Sequence, residues 1–126
     1  MIVDDNQLVL TLLARMLQNE YNVTEFIDAR SALAAIETEK IPDVIICDIM
    51  MPEMDGQAFY EETRKLGSYI TRFLFITGGA VTEESLEFER KMAALGRLLL
   101  KPFEADQLRA ALNKTLTLQG ALEYDH

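Results

Sequence analysis

The sequence lacks several features that would each point to a particular class of protein. It contains a single cysteine, Cys47, so no disulfide can form within the chain, and this favours a reducing compartment. No apolar run approaches the roughly 18 residues that a membrane-spanning helix needs, and no secretory signal is visible. Internal repeats and low-complexity segments are also missing. We therefore expect a cytoplasmic protein that has no membrane anchor.

Basic residues and histidine are scarce as well. The chain has 12 Lys and Arg against 21 Asp and Glu, which gives a net charge of −9. Nucleic acids and anionic membranes both need clustered positive charge, so neither is an expected partner of this domain. The single histidine, His126, is the last residue, and a catalytic or phosphotransfer role for it is not expected.

The residues that are present are those of one globular domain. The chain has 126 residues, of which 49% are hydrophobic and 26% are charged. A chain of this length can bury about two-thirds of its unfolded surface in one core. We expect a single domain over residues 1–119, followed by a C-terminal extension or appended tail at 120–126.

Short apolar runs alternate with helical periods along the chain. Strands are predicted at 1–3, 21–27, 43–48, 72–77 and 97–101. Helices are predicted at about 7–17, 29–40, 57–66 and 82–95, and in a last segment near the end of the chain. Apolar stripes of helical period mark the inward faces of three of them. These stripes are Val9, Leu12, Leu13, Met16 and Leu17 in the first helix, Leu33 and Ile36 in the second, and Leu108, Ala111, Leu112 and Leu116 in the last. Five such alternations imply right-handed crossovers and a parallel sheet that is covered on both faces.

Polar residues stand where four of these strands end: Asp4 with Asp5, then Asp48, Thr77 and Lys101. Ligands of open α/β sheets bind at this carboxyl edge. If the first and third strands are neighbours, three carboxylates converge there and repel one another unless a cation lies between them. Mg²⁺, which prefers oxygen ligands, is the natural counter-charge.

The same edge offers chemistry as well as a cation site. Thr77 supplies a hydroxyl donor and Lys101 a positive charge, which together with a metal suit the transfer of a phosphoryl group to Asp48. Each residue taken alone would be an ordinary turn former, helix cap or solvated strand end. Their occurrence in order at one predicted edge favours a functional site.

These motifs together resemble the receiver domain of two-component response regulators. The matching segments are "VDDN", "CDIMMPEMDG", "FITGG" and "LLKPF", and the resemblance extends from Ile2 to about Leu116. It implies a flavodoxin-like (βα)5 fold, a doubly wound parallel sheet with strand order 2-1-3-4-5. The segment between Thr77 and Lys101 is similar to receivers fused to hybrid histidine kinases. No output domain is expected within 126 residues, so the domain either acts alone or belongs to a larger protein.

The resemblance also implies roles for the residues at the carboxyl edge. Asp48 would accept a phosphoryl group from a kinase phosphohistidine with the help of Mg²⁺, and Thr77 and Lys101 would contact the phosphoryl oxygens. The implied metal ligands are Asp5, Asp48, the backbone carbonyl of Met50, and Asp4 directly or through water. A histidine kinase or phosphotransfer domain would be the donor and an output protein a possible recipient of the signal. No turnover of a separate substrate is expected.

Two further features follow from the resemblance. It implies a cis peptide bond between Lys101 and Pro102. In addition, Leu98 stands three residues before the lysine, where receivers usually have Tyr or Phe. We therefore expect the switch to involve the Gly78–Gly79 loop and the helix that follows it, and no rotating aromatic ring.

Three other functions fit the sequence less well. A Mg²⁺-dependent aspartyl phosphohydrolase resembling the haloacid dehalogenases needs a second acid two residues after the first, and this chain has Met50 there. A flavin-binding electron carrier needs a glycine- and hydroxyl-rich phosphate loop, and "DDNQ" would repel a phosphate. A receiver that binds partners with little phosphorylation is disfavoured by the complete acidic set.

Overall fold

A five-stranded parallel sheet with helices on both faces forms the domain in the computed structural model, which describes residues 1–67, 72–79 and 82–117. The strands are β1 (Ile2–Val3), β2 (Glu25–Phe26), β3 (Val44–Asp48), β4 (Arg72–Thr77) and β5 (Leu98–Leu100). The helices are α1 (Gln7–Leu17), α2 (Ala29–Thr38), α3 (Gly56–Lys65), α4 (Glu83–Ala94) and α5 (Ala105–Thr117). The strand order is β2-β1-β3-β4-β5, so the predicted fold is confirmed.

The register of β3 determines which residues meet at the carboxyl edge. Val3 of β1 pairs with Cys47, and Asp48 pairs with Ile76 of β4. The residue that follows Val3 is Asp4, which therefore leaves β1 beside the end of β3. Parallel pairing thus brings the ends of β1, β3 and β4 to one place in the fold.

The two faces of the sheet have different cores because successive side chains of a strand point in opposite directions. One face packs against α2, α3 and α4 and is rich in aromatic rings, with Phe59, Tyr60, Phe73, Phe75 and Phe88 all buried. The other face packs against α1 and α5 and is aliphatic, with residues such as Leu10, Leu13, Ile46, Leu74 and Leu112. Strands β1, β3, β4 and β5 each contribute side chains to both cores, which holds their carboxyl ends in place.

Two predictions about the first half of the chain were wrong in detail. The second strand, expected over 21–27, covers only Glu25–Phe26 because its partner β1 is only two residues long. The backbone N–H of Tyr21 still donates to Leu17 at the end of α1, at 3.0 Å. In α1 the inward stripe is shifted, since Leu10 is 2% exposed whereas Leu12 is 46% exposed.

Smaller differences occur at the ends of elements. Helix α2 ends at Thr38 and not at residue 40, because Glu39 turns to an extended backbone. Leu33 is only partly buried, whereas Ile36 is fully inside. Strand β5 ends at Leu100, although the N–H of Lys101 continues the pairing by donating to Thr77 at 2.8 Å. The expected tail at 120–126 lies outside the described residues. Within the described ranges, no helix combines the length and apolarity that crossing a bilayer requires.

Candidate functional site

Asp48 closes the buried strand β3, and the loop after it is held tightly against the strand. The carboxylate residue is 8% exposed. The N–H of Gly56 donates to the carbonyl of Ile49 at 2.8 Å, so the loop returns to its own starting point. A Cβ at Gly56 would lie 2.7 Å from the Asp48 carbonyl oxygen and 2.9 Å from Ile49 Cα. Only glycine allows this close approach, and the side chain of Asp55 then caps α3 by accepting from Ala58 N at 2.9 Å.

The two acidic residues after β1 have different environments. Asp4 is fully buried, and its Oδ1 accepts a hydrogen bond from the backbone N–H of Asn6 at 2.9 Å. Asp5 is exposed at the surface of the same edge. Asn6 caps α1 by accepting from Leu8 N at 3.0 Å. The cap fixes the turn that directs Asp4 inward and leaves Asp5 at the mouth of the site.

The structure brings Asp4, Asp5 and Asp48 together, with one carboxylate oxygen of each within 4.8 Å of the others. The pKa of Asp48 is raised from 3.8 to about 6, first by burial and then by the negative charge of Asp4. The positive charge of Lys101 and a backbone hydrogen bond from Met50 partly oppose this rise. Three oxygen donors that repel one another fit a hard divalent cation, which would relieve the repulsion.

Lys101 reaches the carboxylates from the end of β5. Its Nζ lies 3.3 Å from Asp4 Oδ2 and 3.6 Å from Asp48 Oδ2. The side chain is only partly exposed, so it is held beside both acids. The peptide bond to Pro102 is cis, as predicted.

Thr77 ends β4 at the same edge and is almost fully buried. Its Oγ1 accepts a hydrogen bond from the backbone N–H of Gly79 at 3.3 Å. Gly79 has a φ of +88°, a conformation that glycine adopts without strain. Leu98 lies on the next strand opposite Phe75, and it packs against the aromatic core.

Some contributors to this site were not identified from the sequence. Asn6 and Asp55 are the N-caps of α1 and α3, and their signal was a capping residue before a helix. Gly56 allows the loop to approach the backbone of Asp48 and Ile49. Cys47 directly precedes Asp48 on β3. It is fully buried, its Sγ lies 3.1 Å from the backbone oxygen of Asp48, and burial followed by the charge of Asp48 raises the pKa of its thiol.

Comparison with known proteins decides the family. The model of the response regulator receiver domain matches residues 1–113. The chain belongs to this receiver family. It is 35% identical over 117 residues to the transcriptional regulatory protein ZraR of Salmonella typhimurium, covering 92% of this chain and 26% of that protein. It is 30% identical over 119 residues to the chemotaxis protein CheY of Bacillus subtilis, covering 92% and 95%.

Solved structures agree with this assignment. The receiver is similar to the chemotaxis protein CheY4 of Vibrio cholerae, with a TM-score of 0.74, 29% identity and coverage of 91% of this chain and 95% of that one. The chain spans only about a quarter of the length of ZraR. What is common to these proteins is therefore the receiver domain, a signalling module of two-component systems.

Proposed function

We propose that this receiver accepts a phosphoryl group on Asp48 and that the reaction depends on Mg²⁺. The observation that carries the proposal is the meeting of three carboxylates within 4.8 Å of one another, with Lys101 Nζ beside two of them. A site this negative would repel an incoming phosphate, so a cation and the lysine are both needed. We assign residues 1–119 to the receiver domain.

Asp48 is the nucleophile in this proposal. A carboxylate oxygen of Asp48 forms a bond to phosphorus as the bond between phosphorus and the donor's histidine nitrogen breaks. With a pKa of about 6, Asp48 is mostly ionised at pH 7 and so is ready to attack. In this proposal the chain turns over no separate substrate, and the phosphorylated chain is itself the product that carries the signal.

The proposed metal ligands are Asp5, Asp48 and the backbone carbonyl of Met50. Asp4 would take part through water, because its two oxygens already contact Asn6 N and Lys101 Nζ. The bound cation would supply positive charge that offsets the charge on the phosphoryl oxygens.

Thr77 and Lys101 would hold the phosphoryl group after transfer. The ammonium of Lys101 already lies 3.6 Å from Asp48 Oδ2, where it can pair with a phosphoryl oxygen. The hydroxyl of Thr77 would donate to a second oxygen. Because Thr77 also contacts Gly79, that movement would reshape the loop before α4 and so create the signal.

A histidine kinase or a phosphotransfer domain is the proposed donor, and the protein would meet it in the cytoplasm. The chain is 28% identical over 98 residues to the sensor histidine kinase CheAY of Helicobacter pylori, which supports a kinase partner. An output protein or output domain would read the altered loop.

Phosphorylation by acetyl phosphate tests the proposal directly. Intact-mass spectrometry of the 126-residue chain should show the addition of one phosphoryl group in Mg²⁺ and none in EDTA. Asp48→Asn should abolish the addition. The matched control is Asp43→Asn, directly before the same strand, which should be phosphorylated as the wild type is. Undiminished phosphorylation of Asp48→Asn, or of the wild type in EDTA, would contradict the proposed site.

A further inference from the structure

Helix α4 begins with an unusual capping box. Thr82 is the N-cap: its Oγ1 accepts from Ser85 N, and its own N–H donates to Ser85 Oγ, both at 3.1 Å. The residue at this third position is commonly Glu or Gln, whose acceptor atoms reach back to the N-cap. Here a serine hydroxyl, which can donate as well as accept, takes that place.

Glu89 determines which way the serine hydroxyl points. Ser85 Oγ lies 2.7 Å from Glu89 Oε2, one helical turn further along α4. A hydroxyl has only one hydrogen to donate. Because Ser85 gives that hydrogen to Glu89 in a charge-assisted bond, its lone pairs are left to accept from Thr82 N. We refer to Thr82, Ser85 and Glu89 as the α4 network.

The burial of Glu89 indicates that it does more than favour the start of a helix. It is 5% exposed and lies in the same helix face as Phe88 and Met92 of the aromatic core. Placing a carboxylate there is costly unless it makes strong hydrogen bonds. The exposed Glu83 and Glu84 already provide negative charge to the first turn. Glu89 is therefore best explained by its bond to Ser85.

The α4 network follows closely, in sequence, the loop that is proposed to move. Thr82 is only five residues after Thr77, whose Oγ1 holds Gly79 N. Fixing the N–H of Thr82 therefore also fixes the end of the segment that starts at Thr77. A change that draws the Thr77 hydroxyl toward Asp48 would therefore act on a segment whose far end is held by the α4 network.

We propose that Glu89 is a positioning residue that orients the Ser85 hydroxyl and so fixes the first turn of α4. This fixed turn favours the arrangement in which Gly79 N donates to Thr77 Oγ1. The proposal deepens the proposed phosphoryl-acceptor function and rests on it. Two states are in equilibrium, and the α4 network stabilises the one that has this hydrogen bond. Removing the acceptor at position 89 should shift the population toward the phosphorylated arrangement.

The test compares Glu89→Leu with Glu89→Gln in the 126-residue chain. Both substitutions remove the charge, but only the amide keeps an acceptor for Ser85, so their difference isolates the hydrogen bond. Glu87→Gln, on the exposed face of α4, controls for charge alone. Amide hydrogen exchange at Thr82 and Ser85 is measured first, without any ligand. The affinity for beryllofluoride, a stable phosphoryl mimic, is then measured by NMR titration in Mg²⁺.

In Glu89→Leu, exchange at Thr82 N should rise about fivefold, as the loss of a typical helix cap would cause. The mimic should bind about threefold more tightly, because the population has already shifted toward the state that binds it. Glu89→Gln and Glu87→Gln should both stay close to wild type. A residue that only supported the fold would lower the melting temperature and leave the affinity for the mimic unchanged.

The outcomes separate the two proposals. Unchanged exchange at Thr82 in Glu89→Leu, or an unchanged or weaker affinity for the mimic, would overturn the role of Glu89. A failure of the wild type to bind beryllofluoride would overturn the phosphoryl-acceptor function and, with it, the coupling assigned to Glu89. Equal effects of Leu and Gln would show that the charge matters and the hydrogen bond does not, which also contradicts the proposal.

Discussion

Two aspartates bracket strand β3, and they have opposite environments. Asp43 directly precedes the strand and is exposed, so its carboxylate is solvated. Asp48 ends the strand, is 8% exposed, and has its pKa raised to about 6. The residues between them are apolar and pair with β4 throughout. The same short segment therefore carries one exposed carboxylate and one buried carboxyl group whose pKa is raised.

The two ends of the strand differ in how costly it is to keep a carboxylate charged there. At the amino end of β3 the carboxylate meets water, which is the least costly arrangement for a charge. At the carboxyl end it meets Asp4 and a buried backbone, and Lys101 relieves only part of the repulsion. Substitutions at the carboxyl edge of the sheet test this difference when they are compared with wild type or with a matched control elsewhere.

The largest expected effect follows from replacing Gly56 by alanine. The added Cβ would meet the Asp48 carbonyl oxygen and Ile49 Cα, which are backbone atoms that cannot move cheaply. We expect the free energy of unfolding to fall by about 3 kcal/mol, at the upper end of the range for overpacked sites. Gly78→Ala is the control, since no atom lies within 4 Å of the Cβ it would add. Thermal or urea denaturation measures both, and equal losses would show that the loop after Asp48 is not tightly packed.

The second prediction concerns the stability of Asp48→Asn in EDTA as a function of pH. The pKa of Asp48 is raised from 3.8 to about 6 in the folded protein. The protonated carboxyl group therefore contributes to the free energy of unfolding in full below about pH 4, and this contribution is lost as the pH rises through 6. Asparagine stays neutral and avoids that loss. The free energy of unfolding of the variant relative to wild type should therefore improve by about 1–3 kcal/mol between pH 4 and pH 7.

Urea denaturation at the two pH values measures this change. Asp43→Asn at the solvated end of the strand should alter the free energy of unfolding by less than about 0.5 kcal/mol at pH 7. A wild type that gains stability relative to Asp48→Asn on going from pH 4 to pH 7 would show that Asp48 is stabilised as a carboxylate in the fold.

Much of this edge could be predicted from the sequence because each key residue follows an apolar strand. Asp48 after "VIIC" and Thr77 after "RFLFI" are visible as polar interruptions of buried runs. The sequence does not show that Asp4 is buried while Asp5 is exposed, because that depends on the turn fixed by the Asn6 cap. Nor does it show the phase of α1, where Leu10 and Leu12 are equally apolar and only the packing against the sheet distinguishes them.

Lys101→Ala should change the Mg²⁺ affinity of the free protein less than it changes the response to beryllofluoride. Removing the ammonium leaves Asp4 and Asp48 with more net negative charge, so Mg²⁺ affinity should stay within tenfold of wild type, or about 1.4 kcal/mol, or rise. The response to beryllofluoride should weaken, since the phosphoryl charge loses a partner. Calorimetry measures the metal affinity, with Lys40→Ala near the amino end of β3 as control. A tenfold loss of Mg²⁺ affinity in Lys101→Ala would contradict the position assigned to the lysine.

The smallest expected effect is that of Leu98→Ala on the response to the phosphoryl mimic. Leu98 lies opposite Phe75 and packs against the aromatic core, but it has no ring that could turn and no hydroxyl that could change partners. The response should instead reside in the loop that begins at Thr77, where Gly79 adopts a φ of +88° and can be rearranged cheaply. Backbone NMR shifts of Gly78, Gly79 and Thr82 with and without beryllofluoride should therefore change equally in wild type and variant. If the mimic still binds Leu98→Ala but these shifts no longer respond, the leucine transmits the signal and the loop does not. Equal responses would place the switch in the loop between Thr77 and α4. This loop starts at the carboxyl edge of the sheet, where burial and the charge of Asp4 raise the pKa of Asp48.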